Sequence, residues 1–439
     1  MTAEVAIRPR DREAIIQSLR AGVVPRAGQQ HIQVGRVEEV KALVRDLERI
    51  ADAGAAIRFI VGEYGSGKTF FLYLIRSIAL EMKLVTAHAD LTPDRRLHGS
   101  EGQARSLYGE LMRNLATRAK PEGGALASVV ERFITSCLDE ARKRDTKPEL
   151  VIRERLASIA EMVGGYDFAE VIAAYWKGHD TGNEVLQAAA VRWLRGEFST
   201  RTDARAALGV RSIIDDADVY DQLKLLGRFV RLAGYAGLLV CLDELVNLYK
   251  LANAKARNTN YEQILRILND SLQGTSVGAG FLFCGTPEFL LDARKGLYSY
   301  PALQSRLAEN TFLKDGLVDY SAPVLRLNNL TPEDLFVLLG KLRHVYAMGN
   351  PQAYLLSDDA LKAFMAHCGE RVGDAYFRTP RSSIKAFVDL LAVLEQNPQV
   401  SWQDLIGKVE IPSEANPDLA PLSNEKGGPS DDGLVSLKL

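Results

Sequence analysis

The residues best suited to chemistry in this chain lie in one glycine-rich stretch, residues 59–69, which reads FIVGEYGSGKT. It contains the G-x-x-x-x-G-K-[ST] spacing of a phosphate-binding loop and ends in Lys68 and Thr69. Glycines let the backbone wrap a triphosphate closely, and the N–H groups at the start of the following helix face the anion. We expect Lys68 to reach the β- and γ-phosphates and Thr69 to help hold Mg²⁺. The stretch therefore predicts a nucleoside triphosphate site.

An apolar segment ahead of this loop is well placed to cover an adenine ring. Its candidates are His31, Ile32, Val34 and Gly35, and the alternative is that they only pack beneath the sheet. The residues expected to contact the nucleotide in the loop itself are Gly62, Glu63, Tyr64, Gly65, Ser66, Gly67, Lys68, Thr69 and Phe70.

Two acidic residues form a second anchor. Asp243 and Glu244 follow the apolar run 237–242, which is typical of a fully buried parallel strand. Ligands bind beyond the carboxyl ends of such strands. We expect Asp243 to hold Mg²⁺ through water and Glu244 to polarise the water that attacks the γ-phosphate. This strand and the phosphate loop together are more specific than either alone.

Two later side chains complete the candidate catalytic set. Thr286 ends the apolar run 280–285, where a polar group would sense the γ-phosphate. Arg306 suits a finger that reaches the nucleotide of a neighbouring subunit, and a surface helix arginine is the alternative.

The scaffold that must position these residues reads as α/β with a parallel sheet. We expect strands at 57–61 and 83–91 and helices at 37–51 and 69–80, with an extended stretch at 30–36. A mostly helical insertion separates the second strand from the acidic strand. The expected units are 1–97 for the first half of the core, 98–220 for the insertion, 221–322 for the second half, 323–395 for a helical lid and 396–439 for a flexible tail.

Composition sets broad limits. The chain has 439 residues, 47% hydrophobic and 25% charged, as in soluble globular proteins. A net charge of −2 indicates no acidic partner, although a local basic stripe can lie within a neutral total. The sequence has no apolar run long enough to span a membrane, and its first residues lack the apolar core of a signal peptide. Four widely spaced cysteines read as buried thiols, so we expect a cytoplasmic protein.

The order of these elements resembles an AAA+ ATPase of the initiator and helicase-loader branch, and more narrowly the BrxD family of BREX phage-defence ATPases. The stretches that carry the resemblance, which covers about residues 10–395, are VVP at 23–25, HIQVGR at 31–36, GEYGSGKT at 62–69, ADL at 89–91, RSLY at 105–108, LDEL at 242–245, GTPE at 285–288 and TPR at 379–381.

The resemblance implies a role for each candidate residue. Lys68 and Thr69 would be Walker A, and Asp243 and Glu244 would be Walker B. Thr286 would be sensor 1, Arg306 the arginine finger and Arg381 sensor 2. It also implies a superfamily-2 helicase as a companion and a role on DNA during defence.

The resemblance further suggests where DNA is held. In a ring of AAA+ subunits the segment after the Walker B strand can face the pore, and here that segment carries Lys250, Lys255 and Arg257 with no acid. Such cations would contact the backbone of duplex DNA without reading bases. A solvated helix end would look the same, and residues 142–147 are the second place to look.

The resulting prediction is an ATP- and Mg²⁺-dependent ATPase that assembles into a ring or helical oligomer, grips DNA and hands it to the helicase. The alternative is a STAND-like nucleotide switch that senses a phage ligand without touching DNA. A small-molecule kinase is a third and weaker interpretation, which Arg306 and the lid argue against.

Overall fold

The computed structural model describes residues 6–312, 318–373, 377 and 380–408. Five parallel strands form one sheet in the order β2-β3-β4-β1-β5. Their bounds are β1 Ala56–Val61, β2 Val85–Asp90, β3 Leu238–Asp243, β4 Ala279–Gly285 and β5 Val324–Arg326. The predicted α/β class with a parallel sheet is confirmed.

The described residues also form nineteen α-helices. Up to β3 they are α1 Pro9–Arg20, α2 Gln29–Ile32, α3 Val37–Ala51, α4 Lys68–Glu81, α5 Gln103–Arg113, α6 Leu126–Lys143, α7 Pro148–Ala160, α8 Gly165–Thr181, α9 Glu184–Leu194, α10 Arg201–Leu208 and α11 Val219–Leu232. Beyond β3 they are α12 Val246–Tyr249, α13 Ala254–Leu272, α14 Pro287–Leu291, α15 Pro301–Leu307, α16 Pro332–Tyr346, α17 Asp358–Val372, α18 Arg381–Gln396 and α19 Trp402–Ile406.

Both faces of the sheet are buried, as its near-continuous apolar strands require. Along β1, Ile57, Phe59 and Val61 face a large cluster that also takes in the helices between β2 and β3. Ala56 and Ile60 face the opposite cluster, which α3 and α4 cover. The long helical segment between β2 and β3 therefore shares its core with one face of the sheet.

A third apolar cluster joins the N-terminal segment to the C-terminal helices. Ile15 and Ile16 of α1 and Ile32 of α2 pack with buried residues of α16, α17 and α18. The unit boundaries expected from the sequence grouped residues 1–97 together, whereas α1 and α2 pack with the lid helices.

Two local expectations are corrected. The stretch 30–36 was expected to be extended, but residues up to Ile32 belong to the short helix α2. Much of the tail from residue 397 is expected to be extended or disordered, but α19 forms within it and buries Ile406 against the lid. Residues 409–439 of that tail lie outside the described residues. Within the described part of the chain, no helix is long and apolar enough to cross a membrane.

A buried ion pair ties α3 to strand β1. The Arg58 guanidinium donates to both carboxylate oxygens of Asp46, at 2.5 and 3.2 Å, and also to the carbonyl of Ala322 before β5. Arg58 is 5% exposed and Asp46 3% exposed. The pair therefore joins three segments near the strand that carries the phosphate loop.

Removing one partner of this pair should destabilise the fold strongly. Arg58→Met leaves the Asp46 carboxylate buried with only the exposed Arg49 at 3.8 Å, so we expect a loss of about 3–5 kcal/mol in the free energy of unfolding. Asp46→Leu combined with Arg58→Met should recover most of this loss, because neither charge is then left buried. Denaturant titration measures both values.

The surface pair Lys41–Glu38 supplies the control for this prediction. Its partners are 57% and 53% exposed, so Lys41→Met should cost less than about 1 kcal/mol. An Arg58→Met loss as small as that of Lys41→Met would contradict a structural role for the buried pair.

Candidate nucleotide-binding site

The glycine-rich loop connects β1 to α4 and needs its glycines for two different reasons. Gly65 and Gly67 have φ angles of +81° and +80°, which residues with side chains rarely adopt. A Cβ on Gly62 would lie 2.4 Å from Ser66 Oγ and 2.9 Å from the carbonyl oxygen of Leu327. The predicted strand–loop–helix arrangement is confirmed, and Gly67 stands at the N-cap of α4.

Lys68 is held at the centre of the loop. Its Nζ donates to the carbonyl oxygens of Gly62 at 2.8 Å and Glu63 at 2.9 Å. These contacts place the ammonium group where the loop backbone curves around it, as required for a phosphate-binding lysine.

Thr69 and Asp243 meet at the carboxyl end of the sheet. Thr69 Oγ1 donates to Asp243 Oδ2 at 2.9 Å, and the N–H of Glu244 donates to Asp243 Oδ1 at 2.8 Å. Burial raises the pKa of Asp243, although both hydrogen bonds favour its charged form. Asp90, at the end of β2, is the register partner of Asp243 and adds negative charge nearby.

This group of oxygen atoms fits Mg²⁺. The hydroxyl of Thr69 and the carboxylate of Asp243 are hard oxygen ligands side by side, and this cation takes a few such ligands and keeps waters at its other positions. Bound there, Mg²⁺ would supply Lewis-acid stabilisation of phosphate charge.

Glu244 and Thr286 face the same cavity. Glu244 is exposed and has a φ of +58°, a left-handed conformation that costs a non-glycine residue free energy. Thr286 is 3% exposed, and its Oγ1 has no hydrogen-bond partner among the described residues. The Thr286 hydroxyl can therefore donate to a ligand oxygen, and the Glu244 carboxylate can accept a hydrogen bond from a water in the cavity.

A cavity of about 490 Å³ lies over the loop and has two chemically different ends. The polar end is lined by residues 64–69 of the loop, by Asp243, Glu244 and Lys250, and by Thr286, whereas the predicted contacts Gly62 and Glu63 are not among the lining residues. The apolar end is lined by Val23, Val24, Pro25, Ile32, Val34, Leu330, Leu338, Leu342 and Ile384. A volume of this size and a few polar groups at one end suit a nucleotide.

Ile32 and Val34, two of the four residues that we proposed to cover the base, lie along the apolar end of the cavity. His31 instead places its Nε2 3.8 Å from the carboxylate of Asp11. Gly35 has a φ of +63°, and a Cβ there would lie 3.5 Å from Asp334 Oδ1. This glycine therefore allows the backbone to turn before α3.

Sequence reasoning missed part of the lining. Leu338 and Leu342 are one helical turn apart on α16, a spacing that every amphipathic helix shows, so it carried no specific signal. Arg36 also lines the cavity and donates to the carbonyls of Ser66 and Asn328. Burial lowers the pKa of Arg36.

The two proposed catalytic arginines stand in different places. Arg381, at the start of α18, lines the cavity and donates to the Tyr64 hydroxyl at 3.3 Å. Arg306 lies on the exposed side of α15, where its Nη1 donates to the carbonyl of Ala302 at 2.9 Å. The structure therefore brings Arg381 to the site of its own chain and leaves Arg306 at the surface. Of the motif at 379–381, Thr379 is outside the described residues.

The three proposed DNA cations do not share one surface. Lys255 is exposed on the first turn of α13, but Lys250 lines the nucleotide cavity. Arg257 is 7% exposed and donates to the carbonyl of Leu251 at 2.7 Å. The prediction of Arg257 as a surface contact is therefore wrong, because its charge holds the turn between α12 and α13.

Comparison with known families identifies the chain. A family model described as BREX system ATP-binding protein BrxC/D matches residues 7–410. The chain belongs to this family. The resemblance seen in the sequence is confirmed, and with it ATP binding within a BREX phage-defence system. The comparison with curated proteins found no match.

The loop lysine gives the first test of this site. Lys68→Ala removes the positive charge aimed at the phosphates, so we expect loss of ATP binding. A ligand that binds only the native state raises the melting temperature, so the wild-type protein should be stabilised by ATP with Mg²⁺ and the variant should not.

Lys362→Ala, at a lysine whose side chain is 69% exposed, provides the control and should respond to ATP like the wild-type protein. An ATP-dependent shift of wild-type size in Lys68→Ala would reject the assignment of the loop.

Proposed function

We propose that the chain is an AAA+ ATPase that hydrolyses ATP with Mg²⁺ at junctions between copies of itself and acts on duplex DNA with a superfamily-2 helicase. The observation that carries the hydrolytic part is the convergence of Lys68, Thr69, Asp243, Glu244 and Thr286 on one cavity. They come from the ends of β1, β4 and β3, which are neighbours in the sheet.

Each residue has a distinct task in this proposal. Lys68 and the loop N–H groups hold the phosphates, and Thr69 with Asp243 would hold Mg²⁺. Glu244 accepts a proton from the water that attacks the γ-phosphate, and Thr286 orients that water or the phosphate oxygen. Arg381 reaches the same cavity from the lid.

Assembly is proposed from the position of Arg306. Its guanidinium is exposed on α15 and is outside the lining of its own chain's cavity, as an arginine serving a neighbouring subunit would be. ATP would then be hydrolysed only where two copies meet.

Action on DNA with a helicase rests on family membership and on the exposed Lys255. The alternative, a STAND-like switch that senses a phage ligand without binding DNA, is favoured by one observation. Of the three cations first proposed for DNA, Lys250 and Arg257 face inward.

One experiment separates these two functions. ATP turnover should rise when duplex DNA is added to the wild-type protein if the chain acts on DNA, and stay unchanged if it is a switch.

In Glu244→Gln, turnover should fall by roughly 10²–10⁴ while ATP binding remains, because only the proton acceptor is lost.

Glu161 is exposed, and Glu161→Gln makes the same chemical change at the surface. It is the matched control and should leave ATP turnover unchanged. Full activity in Glu244→Gln would mean that another group orients the water.

The assembly proposal is tested by mixing variants. Arg306→Ala should lower turnover by roughly 10³ and leave ATP affinity intact, because the finger acts across a junction. Mixing it with Glu244→Gln should restore activity, since some junctions then combine an intact Glu244 with an intact Arg306.

Arg118→Ala, at a side chain that is 66% exposed, serves as the control. Normal turnover in Arg306→Ala would move the finger elsewhere, with Arg294 as the next candidate.

A further inference from the structure

We propose that Lys250 contacts the γ-phosphate and makes the site prefer ATP to ADP. This inference rests on the proposed function, since it concerns the same cavity. Lys250 is the C-cap residue that follows the short helix α12, and it lines the cavity together with Glu244 and Val246 from the same segment. It is therefore a cation of the nucleotide site.

The strand order places Lys250 at the γ-phosphate end of that cavity. The phosphate loop follows β1, β4 lies next to β1, and β3 lies beyond β4. Asp243, which marks the proposed Mg²⁺ position, is the last residue of β3, and Glu244, which marks the proposed water position, follows it; α12 starts at Val246, two residues after Glu244. A phosphate chain that runs from the loop towards Asp243 brings its last phosphate towards this segment.

The backbone around Lys250 is firmly anchored. Leu248 and Leu251 are 0% and 1% exposed, and the N–H of Lys250 donates to the carbonyl of Val246 at 3.0 Å. Arg257 donates to the carbonyl of Leu251 at 2.7 Å. The buried Arg257, first proposed for DNA, thus fixes the turn that presents Lys250.

Side-chain contacts from two other segments hold α12 in place. Asn247 Nδ2 donates to the carbonyl of Leu91 after β2 at 2.7 Å, and the Tyr249 hydroxyl donates to Asp292 Oδ2 at 2.8 Å. Because this backbone is already anchored, a phosphate contact by Lys250 costs side-chain entropy but requires no further ordering of the main chain.

The other cations of the cavity approach from different sides. Lys68 is held within the loop, Arg36 is bonded to the loop carbonyl of Ser66, and Arg381 comes from the lid beside Tyr64. Lys250 approaches from the β3 side, where Asp243 and Glu244 are both acidic. A cation there offsets the added negative charge of a γ-phosphate, which ADP lacks.

The test compares the affinities of ATP and ADP, each with Mg²⁺, in the Glu244→Gln background so that hydrolysis does not interfere. Lys250→Met should weaken ATP binding about 10- to 100-fold, the range for a hydrogen bond to a charged group, and change ADP binding by less than about twofold. Lys250→Arg should restore part of the preference for ATP.

Lys362→Met is the control and should keep the wild-type ratio of the two affinities. An unchanged ratio in Lys250→Met, or equal losses for ATP and ADP, would overturn the proposal, and Lys250→Gln repeats the test if the Met variant melts abnormally early. These outcomes are separate from those for the proposed function, which fails if the wild-type protein binds ATP without turning it over.

Discussion

The candidate site depends on one hydrogen bond, from Thr69 Oγ1 to Asp243 Oδ2 at 2.9 Å, between residues 174 positions apart. It joins the start of α4 to the end of β3, so the phosphate loop and the acidic pair lie next to each other at one edge of the sheet. Parallel strands make this possible, because their carboxyl ends all meet at the same edge of the sheet. The buried Asp46–Arg58 pair and the two apolar faces hold β1, and therefore the loop, in that position.

The cavity lies where two apolar clusters meet. The sheet supplies the charged end, and the cluster formed by α1, α2 and the C-terminal helices supplies the apolar end. The apolar part of the lining therefore depends on how the lid helices pack, while the polar part depends on strand register. Arg36 connects the two parts, since one guanidinium bonds the loop at Ser66 and the segment before α16 at Asn328.

Of the three basic residues that follow the acidic strand, two face the interior of the protein and one is exposed. Arg257 closes a turn, Lys250 faces the nucleotide cavity, and Lys255 is exposed. A nucleic-acid surface on this protein needs further cations from other segments. Family membership places the chain in BREX defence as an ATP-binding protein, and its action on DNA is a proposal.

The sequence alone determined the phosphate loop, the acidic strand and the parallel α/β class, because each is encoded by neighbouring residues. We can recognise glycine spacing, apolar runs and a Lys-Thr pair in the sequence without knowing which distant residues they contact. Only the tertiary structure decided the rest of the site. It packed α1 and α2 with the lid and turned His31 towards Asp11. It also buried Arg257 and brought Lys250 to the cavity, since the direction of these charged side chains is set by how the turn between α12 and α13 packs.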